Sequence, residues 1–454
     1  MIEKLLDYLN NKKILILGFG VEGESSYNFM KKYLPNNKIY IADENVNILE
    51  KHEYLKNDNN LELMLGDDYL NNINNYDLIL KSPGISFKNI NIESFENKIT
   101  SQLELLLEYV NVFTIGITGT KGKSTTSSLI RDIIKDQKEE EVFLLGNIGE
   151  PIFNNIDSLK EGSIVVLEIS SHSLEYIRKS TNIAILLNIY EEHLDHYKSI
   201  QNYIDAKFNI ARFQNEKDFL IYNLDNETMQ NYNFNYKEND YSVSMEKMPE
   251  MKNKVFLNNK NIYCNSEIVM NIEEEMNLKG NHNLNNIMFA LAVCDILKLD
   301  FKKGLNTIKN FNPLEHRMEF VANVNGVDYY NDSIATIPEA TINCVTSIKN
   351  INTIIIGGKD RGVYLTKLIK FLSESEIQNI ICLPKTGEYI YDELKNSSKN
   401  CYIVTGIKEA VKIAKEVTKE GKACVLSPAA SSYGYFKNFE ERGNLFKEYV
   451  KEIT

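Results

Sequence analysis

Short apolar runs that end in polar turns recur along the chain, and most lead into stretches with helical spacing. Lys13 to Leu17 reads as a buried strand, Ser25 to Tyr33 as a helix, and Lys38 to Ala42 and Asp77 to Leu80 as further strands, the last followed by the turn Ser82-Pro83-Gly84. A longer apolar run, Val110 to Ile117, leads into a helix-like stretch from about Thr125. Ser163 to His172 and Ala184 to His196 each begin as a buried strand and finish in polar residues. Leu284 to Leu297 has a helical apolar period, with Asn283 placed to cap it. Val327 to Tyr330, Thr353 to Ile356, Ile380 to Leu383, Tyr402 to Val404 and Ala423 to Leu426 are short strands. Strands alternating with helices predict an α/β protein with parallel sheets. Residues 214–275, rich in Asn, Glu and Lys with weak strand signals, read as a peripheral excursion.

Length and composition bound the rest. At about 150 residues per domain, 454 residues suggest three, and the pattern divides them at 1–109, 110–312 and 313–454. An apolar share of 43% fills separate cores, and a net charge of −12 with scattered Lys and Arg argues against nucleic acid as a partner. No apolar run approaches the roughly 18 residues of a membrane span, and Met1-Ile2-Glu3-Lys4 does not begin a signal peptide. A cytoplasmic protein without a membrane partner is expected. The six cysteines form no C-x-x-C pair, so they read as buried thiols in a reducing compartment.

Two strand-to-helix turns carry candidate chemistry. Gly116-Ile117-Thr118-Gly119-Thr120-Lys121-Gly122-Lys123-Ser124-Thr125 has the layout of a phosphate cradle. Glycines admit close backbone approach, N–H groups at a helix start face the anion, Lys123 reaches the β- and γ-phosphates, and Ser124 reaches Mg²⁺. ATP is the ligand this predicts. The run departs from G-x-x-x-x-G-K-[ST] because Gly116 lies one residue too early, which leaves a plain Gly/Thr-rich turn as the alternative. Earlier, Gly18-Phe19-Gly20-Val21-Glu22-Gly23 follows a strand and Asp43 closes the next one, as in a dinucleotide fingerprint with an acidic ribose ligand. On that pattern alone NAD, FAD, another nucleotide diphosphate and a purely structural turn all stay open. Glu168, His172, His193 and Asp195 stand at strand ends, where ligands of open α/β sheets gather, and suggest Mg²⁺ beside a polyphosphate. For His193 a capping or core role is equally open. The loops Gly357 to Gly362 and Ser427 to Ser432 also follow strands.

As a set, these residues resemble the Mur ligases of peptidoglycan synthesis over nearly the whole chain. The resemblance is carried by the Gly18 loop, Ser82-Pro83-Gly84-Ile85, Gly119 to Thr125, Asn147-Ile148-Gly149, Glu168-Ile169-Ser170-Ser171 and His193-Leu194-Asp195-His196-Tyr197. It continues through Ala206-Lys207, Gly280 to Asn283, His316-Arg317, Asn331-Asp332-Ser333 and Phe436 to Gly443. The offset in the phosphate loop is the family's own pattern. The resemblance implies three domains: an N-terminal Rossmann-like domain that binds the UDP of a sugar substrate, a central P-loop ATPase-like domain with a parallel sheet, and a C-terminal Rossmann-like α/β domain that binds an amino acid.

Carried onto this sequence, the resemblance implies that Gly18, Gly20, Val21, Glu22, Asp43, Ser82, Pro83, Gly84 and Ile85 hold uridine and diphosphate, with Asn147 on the sugar-linked part. ATP would be held by Gly119, Thr120, Lys121, Gly122, Lys123, Ser124 and Thr125, and by Asn283, Asn286, Arg317 and Asp332. Ser124 and Glu168 would serve the ATP-bound Mg²⁺ and His193 a second Mg²⁺, with Mn²⁺ as the alternative metal. Lys207 would be carbamylated, which turns an ammonium into an anionic oxygen ligand for the metal. Thr336, Arg361, Ser432 and Phe439 would grip glutamate; a guanidinium such as Arg361 suits a carboxylate. The implied activity is ATP-dependent amide formation between UDP-N-acetylmuramoyl-L-alanine and D-glutamate through an acyl phosphate, in a monomer, with Lys123, Glu168, His193 and Lys207 catalytic.

One departure bears on specificity. The family usually has lysine after the Asp-Ser pair, where this chain has Ile334. The missing charge leaves L-glutamate or another amino acid open. Ser170 to Leu174 looks more like the ligases that add the third residue, whereas Phe436 to Gly443 and the Gly18 loop favour the glutamate-adding branch. Outside the family, a nicotinamide oxidoreductase explains only the first segment, and a non-catalytic nucleotide sensor leaves the acid and lysine chemistry unused.

Overall fold

The computed structural model of the protein describes residues 2–453 except 148–149, 192–195, 238, 279, 313–314, 337, 361–364 and 433. The chain divides into two compact units, Met1–Asn312 and Pro313–Thr454. Their sheets are mostly parallel, as strands buried along their whole length require: Ile14–Leu17, Ile164–Glu168, Ile183–Leu186 and Ile351–Gly358 are buried at every position.

The first unit holds two sheets. One is fully parallel, in the order Leu61–Leu65, Ile39–Asp43, Ile14–Leu17, Leu78–Lys81, Ile99–Thr100. The helix Val21–Tyr33 follows its central strand, with Glu22 and Glu24 in the first turn and Lys31 and Lys32 in the last, each sign complementing the helix dipole. The second sheet runs Val142–Gly146, Ile164–Glu168, Phe113–Thr118, Ile183–Leu186, Phe219–Asn223, Tyr241–Ser244, Asn253–Asn258, Asn261–Cys264, Glu267–Asn271. Its last two neighbours pair antiparallel and the others parallel, so this sheet is mixed where a parallel one is expected.

Residues 214–275 are therefore no excursion. They supply five strands, of which Tyr241–Ser244 is buried throughout. Their apolar runs are short and separated by polar turns, so the burial comes from the sheet they join rather than from a local period. Asn283 is not a cap: the helix Asn281–Ile296 starts from Gly280 and Asn283 lies in its first turn. Ten of its residues are buried, and it packs on the helix Lys123–Lys135 that the phosphate loop opens.

A continuous core joins the two sheets of this unit. Phe29 stacks on Phe153 at 4.2 Å, and buried Gln102 donates to Ser26 Oγ (2.8 Å) and the Glu22 carbonyl (2.9 Å) while accepting from the Phe153 N–H (3.1 Å). The second unit has one sheet, in the order Glu319–Val324, Val327–Asn331, Ala423–Leu426, Ile351–Gly358, Asn379–Lys385, Asn400–Ile403, parallel except for its first pair. All six cysteines are unpaired thiols; five are buried and Cys401 is partly exposed. Among the described residues no helix is long and apolar enough to cross a membrane.

Candidate active site

The Gly18 turn is shaped by close packing. Any side chain at Gly23 would run into the Gly18 carbonyl, so the helix Val21–Tyr33 can sit directly on the turn. Ser82 Oγ donates to that same carbonyl (2.8 Å), which ties the two strand-end turns together. Asp43 is engaged within the turn. Its Oδ2 accepts from the Phe19 N–H (2.6 Å) and its Oδ1 from the Asn45 N–H (2.7 Å), so it holds the glycine turn in place. Gly20 and Gly84 face open space, and Val21, at 74% exposure, presents an apolar surface beside them.

A buried charge network, missed at the level of sequence, lies behind this turn. Lys81 ends its strand with its ammonium 3.9 Å from Glu175, and burial lowers it to about 8 against the pull of Glu175 and Glu22. Burial raises Glu22 to about 7, opposed by Lys81. His196 Nε2 lies 3.0 Å from Glu175, and His172 packs on His196 with ring centroids 4.1 Å apart. His172 thus joins a seam between the two sheets.

The phosphate loop leaves the end of Phe113–Thr118 and opens the helix Lys123–Lys135. Gly122 has φ +88°, and a Cβ there would lie 2.6 Å from Asn286 Oδ1. Asn286 is thus brought against the loop, and its Nδ2 donates to Asn283 Oδ1 (3.3 Å). The Lys123 ammonium donates to the carbonyls of Gly119 (2.8 Å) and Thr120 (3.1 Å), and Ser124 is buried at the helix start. The N–H groups of Thr120 and Lys121 are engaged by Asn188, at its carbonyl (2.9 Å) and its Oδ1 (2.8 Å). Sequence reading passes over Asn188 although it stands at a strand end, the position that marks the other candidates.

Glu168 ends the strand next to the loop, opposite Ile117. It is buried; Asn147 Nδ2 donates to Oε1 (3.1 Å), and Oε2 has no hydrogen-bond partner. The side chain of Asn147 is therefore directed at Glu168. Lys207 is 2% exposed on the helix Ile200–Arg212, its ammonium 4.9 Å from the centre of the Tyr203 ring. Tyr203 OH in turn meets Thr120 Oγ1 at 2.9 Å, which connects Lys207 to the phosphate loop. The Tyr203–Lys207 spacing of one helical turn is the signal that reveals this pair. His193 and Asp195 lie outside the described residues.

In the second unit Asp332 is buried, accepting from Ser427 Oγ (2.8 Å) and the Met318 N–H (3.2 Å). Burial raises it to about 6, opposed by those bonds and by Arg317. Fully buried Arg442 donates to the Ala430 carbonyl (3.0 Å), the Ser333 carbonyl (2.8 Å) and Ser333 Oγ (3.0 Å). Ser333 Oγ donates to the Phe439 carbonyl (2.8 Å). These bonds gather the segments that carry Asp332, Ser432 and Phe439. Thr336 is part-buried, and Arg361 lies outside the described residues.

Phosphate-cradling backbone at a helix start, with a buried acid at the adjoining strand end, is the construction of a nucleotide-using α/β enzyme. Residues 117–294 match the Mur ligase middle domain and residues 316–430 the Mur ligase glutamate ligase domain. The chain belongs to the Mur ligase family. Its relatives include the UDP-N-acetylmuramoylalanine--D-glutamate ligase of Clostridioides difficile (strain 630), 32% identical and aligned over 98% of this chain and 99% of that protein. The Acetivibrio thermocellus protein of the same name is also 32% identical, over the whole of both chains. Among solved structures, Thermotoga maritima MurF in complex with ADP shares the fold at TM-score 0.56 and 14% identity, covering 97% of this chain and 95% of that one. The UDP-N-acetylmuramate-alanine ligase MurC of the same organism does so at TM-score 0.54 and 19% identity, over 98% of this chain and all of its own.

Proposed function

We propose that this chain is the ATP-dependent ligase that joins D-glutamate to UDP-N-acetylmuramoyl-L-alanine, the activity its named relatives suggest. The observation that carries the reading is the unpartnered, buried Oε2 of Glu168 at the strand end beside the phosphate loop. A carboxylate oxygen held away from water without a donor is costly unless a cation meets it. Glu168 and Ser124 thus fit the ATP-bound Mg²⁺, with His193 and a carbamylated Lys207 serving a second ion, or Mn²⁺ in their place. When bound, these ions would neutralise charge on the transferred phosphoryl group.

Residues 1–109 hold the UDP-sugar, through Gly18, Gly20, Val21, Glu22, Asp43 and Ser82 to Ile85. Residues 110–312 hold ATP, and residues 313–454 present glutamate through Thr336, Arg361, Ser432 and Phe439. Lys123 exchanges its carbonyl partners for the β- and γ-phosphates. Asn147 orients Glu168 and contacts the sugar-linked part, Asn283 and Asn286 continue the ATP site of the first unit, and Arg317 and Asp332 are the residues of the second unit that the family resemblance assigns to the nucleotide. An oxygen of the alanyl carboxylate attacks the γ-phosphorus and ADP leaves, giving an acyl phosphate. The glutamate amine, having lost a proton, then attacks that carbonyl and expels phosphate, leaving an amide. The enzyme works as a cytoplasmic monomer.

Phosphate release from ATP and UDP-N-acetylmuramoyl-L-alanine, measured against amino acids of both hands, tests this reading. D-glutamate alone should support turnover. Ile334, where a lysine is usual, gives L-glutamate or another amino acid as the second reading, and turnover with one of those would establish it. No release with any amino acid would overturn both.

A further inference from the structure

We propose that Asn188 is a positioning residue for nucleotide binding: it fixes the phosphate loop so that phosphate is met by the amides of the helix start and not by those of Thr120 and Lys121. The inference rests on the reading that this loop holds ATP. Asn188 Oδ1 accepts from the Lys121 N–H (2.8 Å) and Nδ2 donates to the Lys121 carbonyl (3.0 Å). One side-chain amide thus pairs with both polar groups of a single residue, as a neighbouring strand would. The Asn188 carbonyl accepts from the Thr120 N–H (2.9 Å), and the Leu187 N–H donates to the Thr118 carbonyl (3.0 Å). The pairing of Phe113–Thr118 with Ile183–Leu186 is therefore carried on, past the end of both strands, into the loop itself.

The clamp is itself held from behind. Asn223 Nδ2 donates to the Leu187 carbonyl (3.0 Å), and Asn226 Nδ2 and Thr228 Oγ1 both donate to the Ile189 carbonyl (3.3 Å each). On the loop side the Tyr190 N–H donates to Thr120 Oγ1 (3.0 Å). With the Lys121 peptide held, Gly122 is presented at its left-handed φ of +88° before any ligand arrives, so binding does not have to order the loop. Only a primary amide supplies both donor and acceptor here. Aspartate keeps the acceptor, loses the donor and adds a negative charge near the triphosphate.

Calorimetry on the full chain with Mg·ADP and, separately, UDP tests the proposal. Asn188→Ala and Asn188→Asp should weaken Mg·ADP binding by roughly tenfold or more, Asp the more severely, since Ala removes both side-chain hydrogen bonds to the Lys121 peptide while Asp removes one and adds a negative charge near the triphosphate. UDP affinity should stay within about twofold of the parent. Amide hydrogen exchange on the unaltered chain gives a readout that needs no variant. Thr120 and Lys121 should be protected without ligand, whereas the Ser124 amide should gain protection only with Mg·ADP. Rapid exchange at Thr120 and Lys121, unchanged Mg·ADP affinity in both variants, or equal losses for Mg·ADP and UDP would each overturn the role. Absence of Mg·ADP binding by the parent chain would instead bring down the ligase reading, and this inference with it.

Discussion

Burial shifts both Glu22 and Lys81 toward their neutral forms against their mutual attraction, which gives the chain a pH dependence that can be worked out in sign. Glu22 titrates near 7 in the folded protein against 4.5 ordinarily. The folded state keeps this proton longer than the unfolded one, so its contribution is fully present below about 4.5, is lost as pH rises toward 7, and levels off above. Glu22→Gln should remove that fall, and thermal midpoints from pH 5 to 8 should decline less steeply than in the parent; an unchanged slope would show that Glu22 is not the group. For the chemistry, Lys123→Ala should abolish ADP release. Lys207→Ala should be nearly inactive and partly restored by added short carboxylates, with lack of any response counting against the carbamate. Glu168 and Lys123 were legible because a carboxylate after a buried strand, and a lysine after glycines, carry local signals. Asn188 was not, because asparagine is abundant throughout this chain and only the paired backbone of Lys121 distinguishes this one.

At the level of elements, the turns carry more information than the strands. Gly23 is required because the Gly18 carbonyl occupies the space of its Cβ. Gly23→Ala should force the helix Val21–Tyr33 off the turn, lowering stability by about 1–3 kcal/mol in denaturant titrations. It should weaken UDP binding and leave Mg·ADP binding intact; equal loss of both ligands would mean that the damage is global. The G-x-G-x-x-G spacing made this packing readable from sequence. Phe219–Asn223 and Tyr241–Ser244 were not readable as members of the ATP-side sheet, because four or five residues between polar tracts show no period that survives averaging. Their burial is decided by the neighbours they pair with. The same pairing brings Asn223 to the back of the phosphate-loop clamp, so a segment that looks expendable supports the site.

On the scale of the whole molecule, two compact units divide the proposed work, and the first joins two sheets through one core. The alternation of strands and helices predicts three α/β segments. It could not show that Gln102, Phe29 and Phe153 weld the first two, because those contacts link residues far apart in sequence. A fragment of residues 1–312 should accordingly melt in a single transition and bind Mg·ADP. Two separate transitions in calorimetry would contradict the shared core.

The central claim is that ATP is spent on activating a carboxyl group at the junction of Lys123, Ser124 and Glu168. It is tested most directly by labelling both oxygens of the alanyl carboxylate with heavy oxygen and examining the phosphate released on glutamate addition. Acyl-phosphate chemistry predicts one labelled oxygen in each phosphate. Unlabelled phosphate, formed at the same rate as the amide, would contradict it.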